Sequence, residues 1–423
     1  MKARLRGLLL GMSIGFMGML LAGTMITRNL ATEGSYAPLK LFNEVLFQIR
    51  TSYVDEPKTD TLMKGAYEGM LAQLDPFSEY LTAEEYARLV ASNGAQTPGG
   101  AAKEATPRGD SGLRPIKKEG MLFILAVRPG SDAEAKGITP GDQIRRIGDR
   151  PAREMTLFDV ESALSGPPGA TVTVSIARRE EPRKIDADLT FREPTGEAAT
   201  LEIVDAKEGI AVLKVAHFGP GAATDIAALL ERAGKQRVRR LLIDLRGNAW
   251  GGIEEAARAA GLFVGDTAVA SVMDREGVTT EIRSGRARSS WSGQPAVLIN
   301  GGTAEAAELF ASALHDGRSA QILGETSFGV GAQQEFLPLK NGAWIRLSVR
   351  KYVSISGHAW HGTGLKPDKS LTVTQDGLKP ADRLKEQLRQ AIEHLRHEAP
   401  ATAPNAAAGA PEGKRADEGE RGL

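Results

Sequence analysis

The chain has 423 residues, of which 41% are apolar and 25% charged, and its 53 basic residues balance its 53 acidic ones. This balance argues against a dedicated nucleic-acid binder, which would carry a basic excess. Because there is no cysteine, disulfides, thiolate metal ligands and cysteine nucleophiles are excluded. Length and composition are those of a globular protein with several domains.

The N-terminus carries an uncharged run rich in Leu, Gly and Met, from Gly7 to Ile26. Its length of about 20 residues is that of a helix crossing a bilayer once. Basic residues precede it, at Lys2, Arg4 and Arg6. This asymmetry predicts a single-pass anchor over residues 1–30, with a cytoplasmic N-terminus and a body that faces the periplasm or cell exterior. A cleaved signal peptide is the alternative, and it would also export the chain.

Apolar residues at helical spacing predict a helical region over residues 37–95. In its last helix, Thr82 and Glu85 have the spacing of a capping box. Residues 96–110 are rich in Gly, Ala and Pro and are interpreted as a linker.

Residues 111–194 change to short strands with helices between them. The predicted strands are Leu113–Lys117, Met121–Val127, Gln143–Ile147 and Ala170–Ala177. A helix is predicted over 156–164, opened by Thr156 as its N-cap with Asp159 at the capping-box position.

Strands and helices alternate over residues 195–378, which predicts an α/β core with a partly parallel sheet. The predicted strands are Ile210–Val215, Arg240–Leu245, Ala296–Asn300 and Trp344–Val349. The predicted helices are Asp225–Ala233, Glu254–Phe263 and Ala304–His315. An amphipathic helix is expected at 379–397, and the composition of 398–423 favours a disordered tail.

Residues 111–194 resemble a PDZ domain, above all in the run Gly137-Ile138-Thr139-Pro140-Gly141-Asp142-Gln143-Ile144. Such a module adds an extended peptide as a strand and holds its terminal carboxylate with backbone N–H groups. The resemblance assigns the carboxylate loop to Ser111, Gly112 and Leu113, and the groove to Leu157, Val160 and Leu164. Pro115 removes one donor from the groove strand, so a PDZ-like fold that binds no peptide is the alternative.

The chain resembles the carboxyl-terminal processing peptidases, also called tail-specific proteases, over roughly residues 38–395. The motifs that carry this resemblance are Leu74-Asp75-Pro76-Phe77-Ser78, Leu242-Ile243-Asp244-Leu245-Arg246-Gly247-Asn248, Val297-Leu298-Ile299-Asn300 and Gly324-Glu325-Thr326. The resemblance implies an α/β and α+β multidomain protein: an N-terminal membrane helix, a helical region, a PDZ-like domain and a ClpP/crotonase-like α/β protease core.

Members of that family are serine peptidases in which a partly neutral lysine takes the proton of the serine. The family motif Ser-Ala-Ser-Ala-Ser-Glu corresponds here to Thr303-Ala304-Glu305-Ala306-Ala307-Glu308, which places Glu305 at the nucleophile position. The family's Phe-Gly-Lys-Gly corresponds to Phe328-Gly329-Val330-Gly331, which places Val330 at the lysine position. The separation, 330 − 305 = 25 residues, matches the family's, and Gln334 keeps the position of an assisting glutamine.

The turn that helps to form the family's oxyanion hole reads Asn-Pro-Gly-Gly, whereas this chain has Asn248-Ala249-Trp250-Gly251-Gly252. The extra residue and the bulky Trp250 predict that the oxyanion region at Gly251 and Gly252 is disrupted, because its donors must lie about 3 Å from the developing charge. Thr303 precedes the helix and is expected to be its N-cap.

These substitutions predict a catalytically inactive, membrane-anchored extracytoplasmic protein that binds polypeptide C-terminal tails or regulates a partner protease, as a homo- or hetero-oligomer. The alternative is an active serine-type endopeptidase that processes the C-termini of exported proteins, with chemistry relocated to His315, His358 or His361 beside a hydroxyl. A third hypothesis is a structural envelope protein that binds no free peptide. We expect no cofactor, no metal and no nucleic acid.

Overall fold

A computed structural model describes residues 37–93, 109–178, 181–193, 197–285, 290–373 and 380–397. The chain divides into two compact units, Met1–Gly69 and Met70–Leu423. The predicted anchor at 7–26, most of the predicted linker and the predicted tail at 398–423 lie outside the described residues. Within those residues, no helix combines the length and apolar character that a membrane crossing needs.

Helix α1 (37–52) and most of helix α2 (Thr59–Ala72) belong to the first unit. Large apolar side chains of α1 are exposed, at Leu39, Leu41, Val45 and Phe47.

Strand β1 (Glu79–Leu81) and helix α3 (Ala83–Asn93) open the second unit. The capping box predicted for α3 is confirmed. The Glu85 amide donates to Thr82 Oγ1 at 3.2 Å, and the Thr82 amide donates to Glu85 Oε2 at 2.7 Å.

The PDZ-like region is an antiparallel sheet with strand order β3-β4-β5-β8-β9, flanked by helices. Its strands are β2 (Gly109–Asp110), β3 (Leu113–Lys118), β4 (Met121–Val127), β5 (Gln143–Ile147), β6 (Arg150–Pro151), β7 (Ser165–Gly166), β8 (Thr171–Arg178) and β9 (Glu181–Thr190). Its helices are α4 (Asp132–Ala135), a 3₁₀ turn (Ala152–Glu154) and α5 (Leu157–Ala163). Thr156 caps α5 as predicted, because its Oγ1 accepts the Asp159 amide at 3.0 Å.

The core contains a sheet with strand order β10-β11-β12-β15-β16-β19, in which only β10 and β11 pair antiparallel. This arrangement confirms the predicted partly parallel sheet. Its strands are β10 (Ala199–Asp205), β11 (Ile210–Val215), β12 (Arg240–Asp244), β15 (Ala296–Ile299), β16 (Gln321–Gly324) and β19 (Lys369–Ser370). The helices are α6 (Ala222–Lys235), α7 (Ile253–Val264), α8 (Ala306–Arg318) and α9 (Pro380–His397).

A second core sheet has the order β1-β18-β13-β14, with β17 also paired to β18. Its remaining strands are β13 (Ala268–Met273), β14 (Thr279–Arg283), β17 (Ala332–Pro338) and β18 (Trp344–Val353). Because β1 pairs with β18, the segment before the PDZ-like region is built into the core.

Alternating side chains of the first core sheet bury both of its faces, as successive residues of a strand point in opposite directions. On β12, Leu241 and Ile243 pack with α6, α7 and α8, whereas Leu242 packs towards α9. Because β12 and β15 are parallel, the turns that follow their carboxyl ends lie at the same end of the sheet. Ligand sites of open α/β sheets form at that end.

Candidate functional site

The turn before α8 holds Glu305 in a strained backbone conformation. Glu305 is the N-cap of α8, with φ of 53° and ψ of −116°. A positive φ is uncommon for a residue with a side chain, and such strain concentrates at functional sites. Sharp strained turns of this kind expose a nucleophile in other hydrolases. The position predicted for a nucleophile therefore lies on a strained turn and holds an acid.

Thr303 is not the N-cap of this helix, so that prediction is wrong. Its Oγ1 donates to the Leu245 carbonyl at 2.9 Å and accepts the Asn300 amide at 3.1 Å, and the residue is fully buried. Thr303 instead ties the turn to the end of β12, because a buried hydroxyl needs partners and finds them across the sheet.

The Glu305 side chain faces a cation from the PDZ-like region. Arg114, on β3, donates from Nη2 to Glu305 Oε1, and both side chains are about one third exposed. The Glu305 carboxylate raises the pKa of Arg114, which therefore stays charged. The positive charge of Arg114 therefore offsets the negative charge of Glu305 through a charge-assisted hydrogen bond.

Val330 lies in an apolar cluster that we call the seat. Val330 is only 4% exposed. The other buried members of the seat are Phe77, Ile116, Leu125, Ala126, Ala249 and Ala304, and Phe123, Trp250 and Phe328 pack against them. Because β3 and β4 contribute to this cluster, the position predicted for a lysine is buried beside the PDZ-like region.

Glu308 links positions 305 and 330, the two that were predicted to be substituted. Its buried carboxylate accepts the amides of Glu305 at 3.0 Å, Gly329 at 2.6 Å and Val330 at 2.8 Å, together with the hydroxyl of Ser327. Burial raises the pKa of Glu308 to about 7, and these hydrogen bonds oppose that rise. One carboxyl group thus fixes the spacing between the turn at 305 and the strand at 330.

The predicted oxyanion region packs closely against Phe218. Gly251 has φ of 115°, and a Cβ there would lie 2.2 Å from the Phe218 carbonyl carbon. The Gly252 amide donates to the Phe218 carbonyl at 2.9 Å, so it is already engaged within the protein. The Trp250 ring lies 5.1 Å from the guanidinium of Arg128, which belongs to the PDZ-like region.

Gln334 lies on β17 beside a shift in the strand register between Gln333 and Gln334. Its Nε2 is 3.5 Å from the Ala332 carbonyl of its own strand. The structure therefore brings Glu305 and Val330 together through Glu308, and gives Gln334 a local partner.

The residues predicted to grip a peptide are packed into the PDZ-like core. Leu113, Leu157, Val160 and Leu164 are all buried in one cluster. In the loop, the Ser111 amide donates to the Leu164 carbonyl at 3.0 Å, and the Gly112 amide donates to Asp110 Oδ1 at 2.9 Å. Two of the assigned carboxylate-binding amides therefore have internal partners, and the side chains predicted to line the groove belong to the core of the PDZ-like region.

The candidate histidines lie in separate environments. His358 Nδ1 is 2.9 Å from Ser356 Oγ, within the turn that follows β18. His361 Nε2 is 3.6 Å from Asp75 Oδ2. Although burial raises the pKa of Asp75, hydrogen bonds from His361 and from backbone amides hold it well below its usual range. His315 pairs with Asp316. In the part of the chain that the structure describes, His, Asp and Glu side chains form no group of three or more that could hold a metal.

Sequence reasoning missed Arg114 and Glu308. Glu308 could have been found, since it is the acid that ends the helix-start motif. Arg114 carries no such signal, because 191 residues separate it from its partner Glu305.

The protein combines a PDZ-like region with an α/β core, in which the strained turn before α8 lies close to the buried Val330. This combination indicates the class of PDZ-bearing peptidase folds. Comparisons with known proteins agree. Residues 209–371 match peptidase family S41, and residues 123–178 match a PDZ domain. These matches support the carboxyl-terminal processing peptidase family.

Its relatives include the carboxy-terminal processing protease CtpA of Bacillus subtilis, 27% identical over 326 residues, or 77% of this chain and 67% of the relative. A probable CtpA-like serine protease of Staphylococcus epidermidis is 26% identical over 339 residues, or 79% and 66%. These matches thus span about two thirds of each relative. The solved photosystem II D1 C-terminal processing protease shares the fold, with a TM-score of 0.62, 24% identity and coverage of 81% of this chain and 90% of that one.

Proposed function

We propose that this chain is a catalytically inactive, membrane-anchored extracytoplasmic member of its family, which binds polypeptide C-terminal tails or regulates a partner. The observation that carries this proposal is the pair of side chains at the catalytic positions. Glu305 is ion-paired to Arg114, and Val330 is sealed in the apolar seat.

Peptide hydrolysis by a Ser–Lys dyad needs a hydroxyl that attacks and an amine that takes its proton. Valine can neither accept nor donate a proton. A carboxylate bound to a guanidinium is a weak nucleophile, and its attack on an amide would give a mixed anhydride with no base to assist. Loss of a serine nucleophile alone lowers turnover by on the order of 10⁶, and members of such a unit do not act independently.

The decisive experiment is a cleavage assay on an unfolded polypeptide, with purified protein that lacks residues 1–30. We expect no cleavage by the parent or by the Glu305→Ala variant. The B. subtilis relative, assayed in parallel, controls for the substrate. Robust cleavage by the parent that Glu305→Ala abolishes would overturn the proposal.

Anchoring is supported by the uncharged run from Gly7 to Ile26 and the basic residues before it. The full chain should sediment with membranes and resist extraction by high salt or alkali. Removal of residues 1–30 together with fusion to a cleavable signal should release it. A shortened mature N-terminus in the full-length protein would instead identify a signal peptide.

A role in binding is supported by the PDZ-like region and by the exposed apolar side chains of α1. The internal hydrogen bonds of the Ser111 and Gly112 amides favour regulation of a partner over tight capture of free tails. Titration with C-terminal peptides and their amidated forms separates the two roles. Saturable binding that requires the free carboxylate would support tail capture, and its absence would favour a partner or the structural role.

An active serine-type endopeptidase is the second candidate, favoured by the 2.9 Å contact between Ser356 Oγ and His358 Nδ1. A fluorophosphonate probe tests it directly. Labelling that Ser356→Ala removes and Ser370→Ala retains would support this candidate. We expect no labelling above that of the heat-denatured protein.

A further inference from the structure

We propose that one end of the first core sheet, the end at which its parallel strands begin, docks on the anionic lipid headgroups of the membrane that anchors the chain. This inference rests on the proposed function, because it takes the chain to be membrane-anchored. Its basis is a group of four basic side chains that have no acidic partner among the described residues, namely Lys207, Arg237, Arg239 and Arg318. We call these four residues the basic end.

The loop between α6 and β12 presents two of these arginines. Arg237 and Arg239 are exposed, whereas Val238 between them is buried in the core. The Arg237 amide donates to the Gly234 carbonyl at 3.0 Å, and the Arg239 amide donates to the Gly209 carbonyl at 2.8 Å. Because the backbone is hydrogen-bonded and the valine is anchored, both guanidinium groups are held at the surface.

The other two basic residues lie on neighbouring segments. Lys207 is exposed in the turn between β10 and β11, the turn that also contains Gly209. Arg318, the last residue of α8, donates from Nη2 to the carbonyls of Ser292 at 2.8 Å and Gly293 at 3.0 Å. Carbonyl groups carry no net charge, so the positive charge of Arg318 is not cancelled.

The acids near this end do not neutralise the basic end. Each of them already has a different basic partner: Glu208 pairs with Arg240 at 3.3 Å, Glu231 with Lys235 at 2.7 Å and Asp205 with Arg396 at 3.1 Å. The four residues of the basic end therefore give this surface a positive excess.

The opposite end of the same sheet carries acids. Glu254, Glu305 and Glu325 follow the carboxyl ends of β12, β15 and β16, and Glu254 and Glu325 are exposed. Charge is thus separated along the strand direction. An anionic surface attracts one end of the sheet and repels the other, so docking turns the candidate site away from the lipid.

A lipid surface fits the basic end better than an acidic protein does. Protein interfaces depend on buried aromatic or aliphatic anchors, but no large apolar side chain is exposed between residues 200 and 240. Basic residues near an anionic leaflet are attracted without specific contacts. An anchor over residues 7–26 keeps the body close to the membrane, so a few such charges suffice.

Because the chain has no cysteine, single spin labels can be introduced at Gln236→Cys, beside the basic end, and at Lys184→Cys on β9. Both native side chains are exposed. The full chain is reconstituted into vesicles of phosphatidylcholine alone or with an equal share of phosphatidylglycerol. Relaxation by a water-soluble nickel complex reports how accessible each label is.

We expect phosphatidylglycerol to lower the nickel accessibility of residue 236 severalfold and to leave that of residue 184 unchanged. Sodium chloride at about 1 M, where the Debye length is about 3 Å, should reverse the protection. Equal accessibility of residue 236 in both kinds of vesicle would overturn the proposal. Protection of residue 236 by soluble polyglutamate but not by phosphatidylglycerol would assign the surface to an acidic protein and overturn it as well.

The double variant Arg237→Glu with Arg239→Glu should abolish the protection of residue 236, and the corresponding pair of lysine substitutions should retain it. Arg145→Glu with Arg153→Glu is the matched control, because it reverses two exposed charges on the PDZ-like region. This control should leave the protection intact. Circular dichroism verifies that each variant is folded. Protection that survives in the Arg237→Glu, Arg239→Glu variant, or that the control also loses, would refute the assignment to the basic end.

Failure of docking and failure of anchoring give different results. A chain that stays in the vesicles without protection of residue 236 would refute docking alone. A chain that loses its N-terminal segment would refute anchoring alone. Flotation of that shortened chain with vesicles then tests docking directly: we expect it to float with phosphatidylglycerol and not with phosphatidylcholine, and flotation with neither would overturn the proposal.

Discussion

Glu308 is the residue on which the geometry of the cleft depends, and its acidity can be tested. Burial raises its pKa to about 7 from an ordinary value of 4.5. The native state therefore binds more protons than the unfolded state between these values. The free energy of unfolding should fall as pH rises from about 4.5 to about 7 and level off above, by up to about 3 kcal/mol from this group.

Denaturant titrations across this pH range measure the change, and Glu308→Gln provides the control. The variant has no charge to gain, so its free energy of unfolding should vary less with pH than that of the parent. The same pH dependence of the free energy of unfolding in both proteins would contradict the raised pKa of Glu308. Asp75 does not interfere, because its lowered pKa gives stability that is lost only as pH falls below about 3.8.

Val330 offers a second test, since a lysine can be introduced at its position. In the buried seat the ammonium form of Val330→Lys is disfavoured, so its pKa should fall below the usual value of about 10.4. The native state then binds fewer protons than the unfolded state, and its stability should rise with pH up to that value. At pH 7, we expect Val330→Lys to be less stable than Val330→Met by about 3 kcal/mol. A stability difference between the two variants that is as large at pH 9 as at pH 7 would contradict the lowered pKa of the introduced lysine.

At the scale of elements, the turn between β12 and α7 is constrained by its contact with Phe218. A Cβ at Gly251 would meet the Phe218 backbone, and φ is 115°. We expect Gly251→Ala to lower the free energy of unfolding by about 3 kcal/mol or more. Gly277 also has positive φ, 83°, but open space around its Cβ position. Gly277→Ala should therefore cost only about 1 kcal/mol, and similar losses in both variants would refute the steric argument.

Elements with strong local patterns could be predicted from the sequence. Strands β4, β5 and β11 have the predicted bounds, because continuous or alternating apolar residues mark them. The capping box of α3 could also be predicted, since both of its hydrogen bonds join residues only three positions apart. Strand β1 was missed because it has only three residues, and β17 because its sequence shows no apolar run or alternation; both depend on pairing with β18.

Long-range contacts explain what the sequence did not reveal at the site. Thr303 has the residue type and position of an N-cap, but its hydroxyl bonds Leu245, 58 residues away. The positions of Glu305 and Val330 followed from motif spacing alone. Their surroundings did not, since the seat combines residues from three parts of the chain. The residue type at a position can be read from the sequence, whereas the burial of that position depends on the three-dimensional fold.

At the scale of the whole molecule, a second connection joins the PDZ-like region to the core, away from the cleft. Arg346 on β18 contacts Glu79 at 2.8 Å and Glu161 at 3.5 Å. Glu79 also accepts the amide of Leu157 at 3.0 Å, at the start of α5. Negative charge at a helix N-terminus is favourable. Glu79 lies on β1 of the second core sheet, and its carboxylate also caps α5 of the PDZ-like region.

Substitution of Arg346 should therefore allow the PDZ-like region and the core to unfold in separate steps. Burial raises the pKa of Glu79 even with Arg346 beside it, so Arg346→Ala leaves a buried acid without its cation. We expect a loss of about 3 kcal/mol and, in scanning calorimetry, two transitions in place of one. Arg350→Ala is the matched control, because its ion pair with Glu335 is about 40% exposed on both sides and should contribute less than about 1 kcal/mol. A single transition in Arg346→Ala would show that the apolar seat alone couples the PDZ-like region to the core.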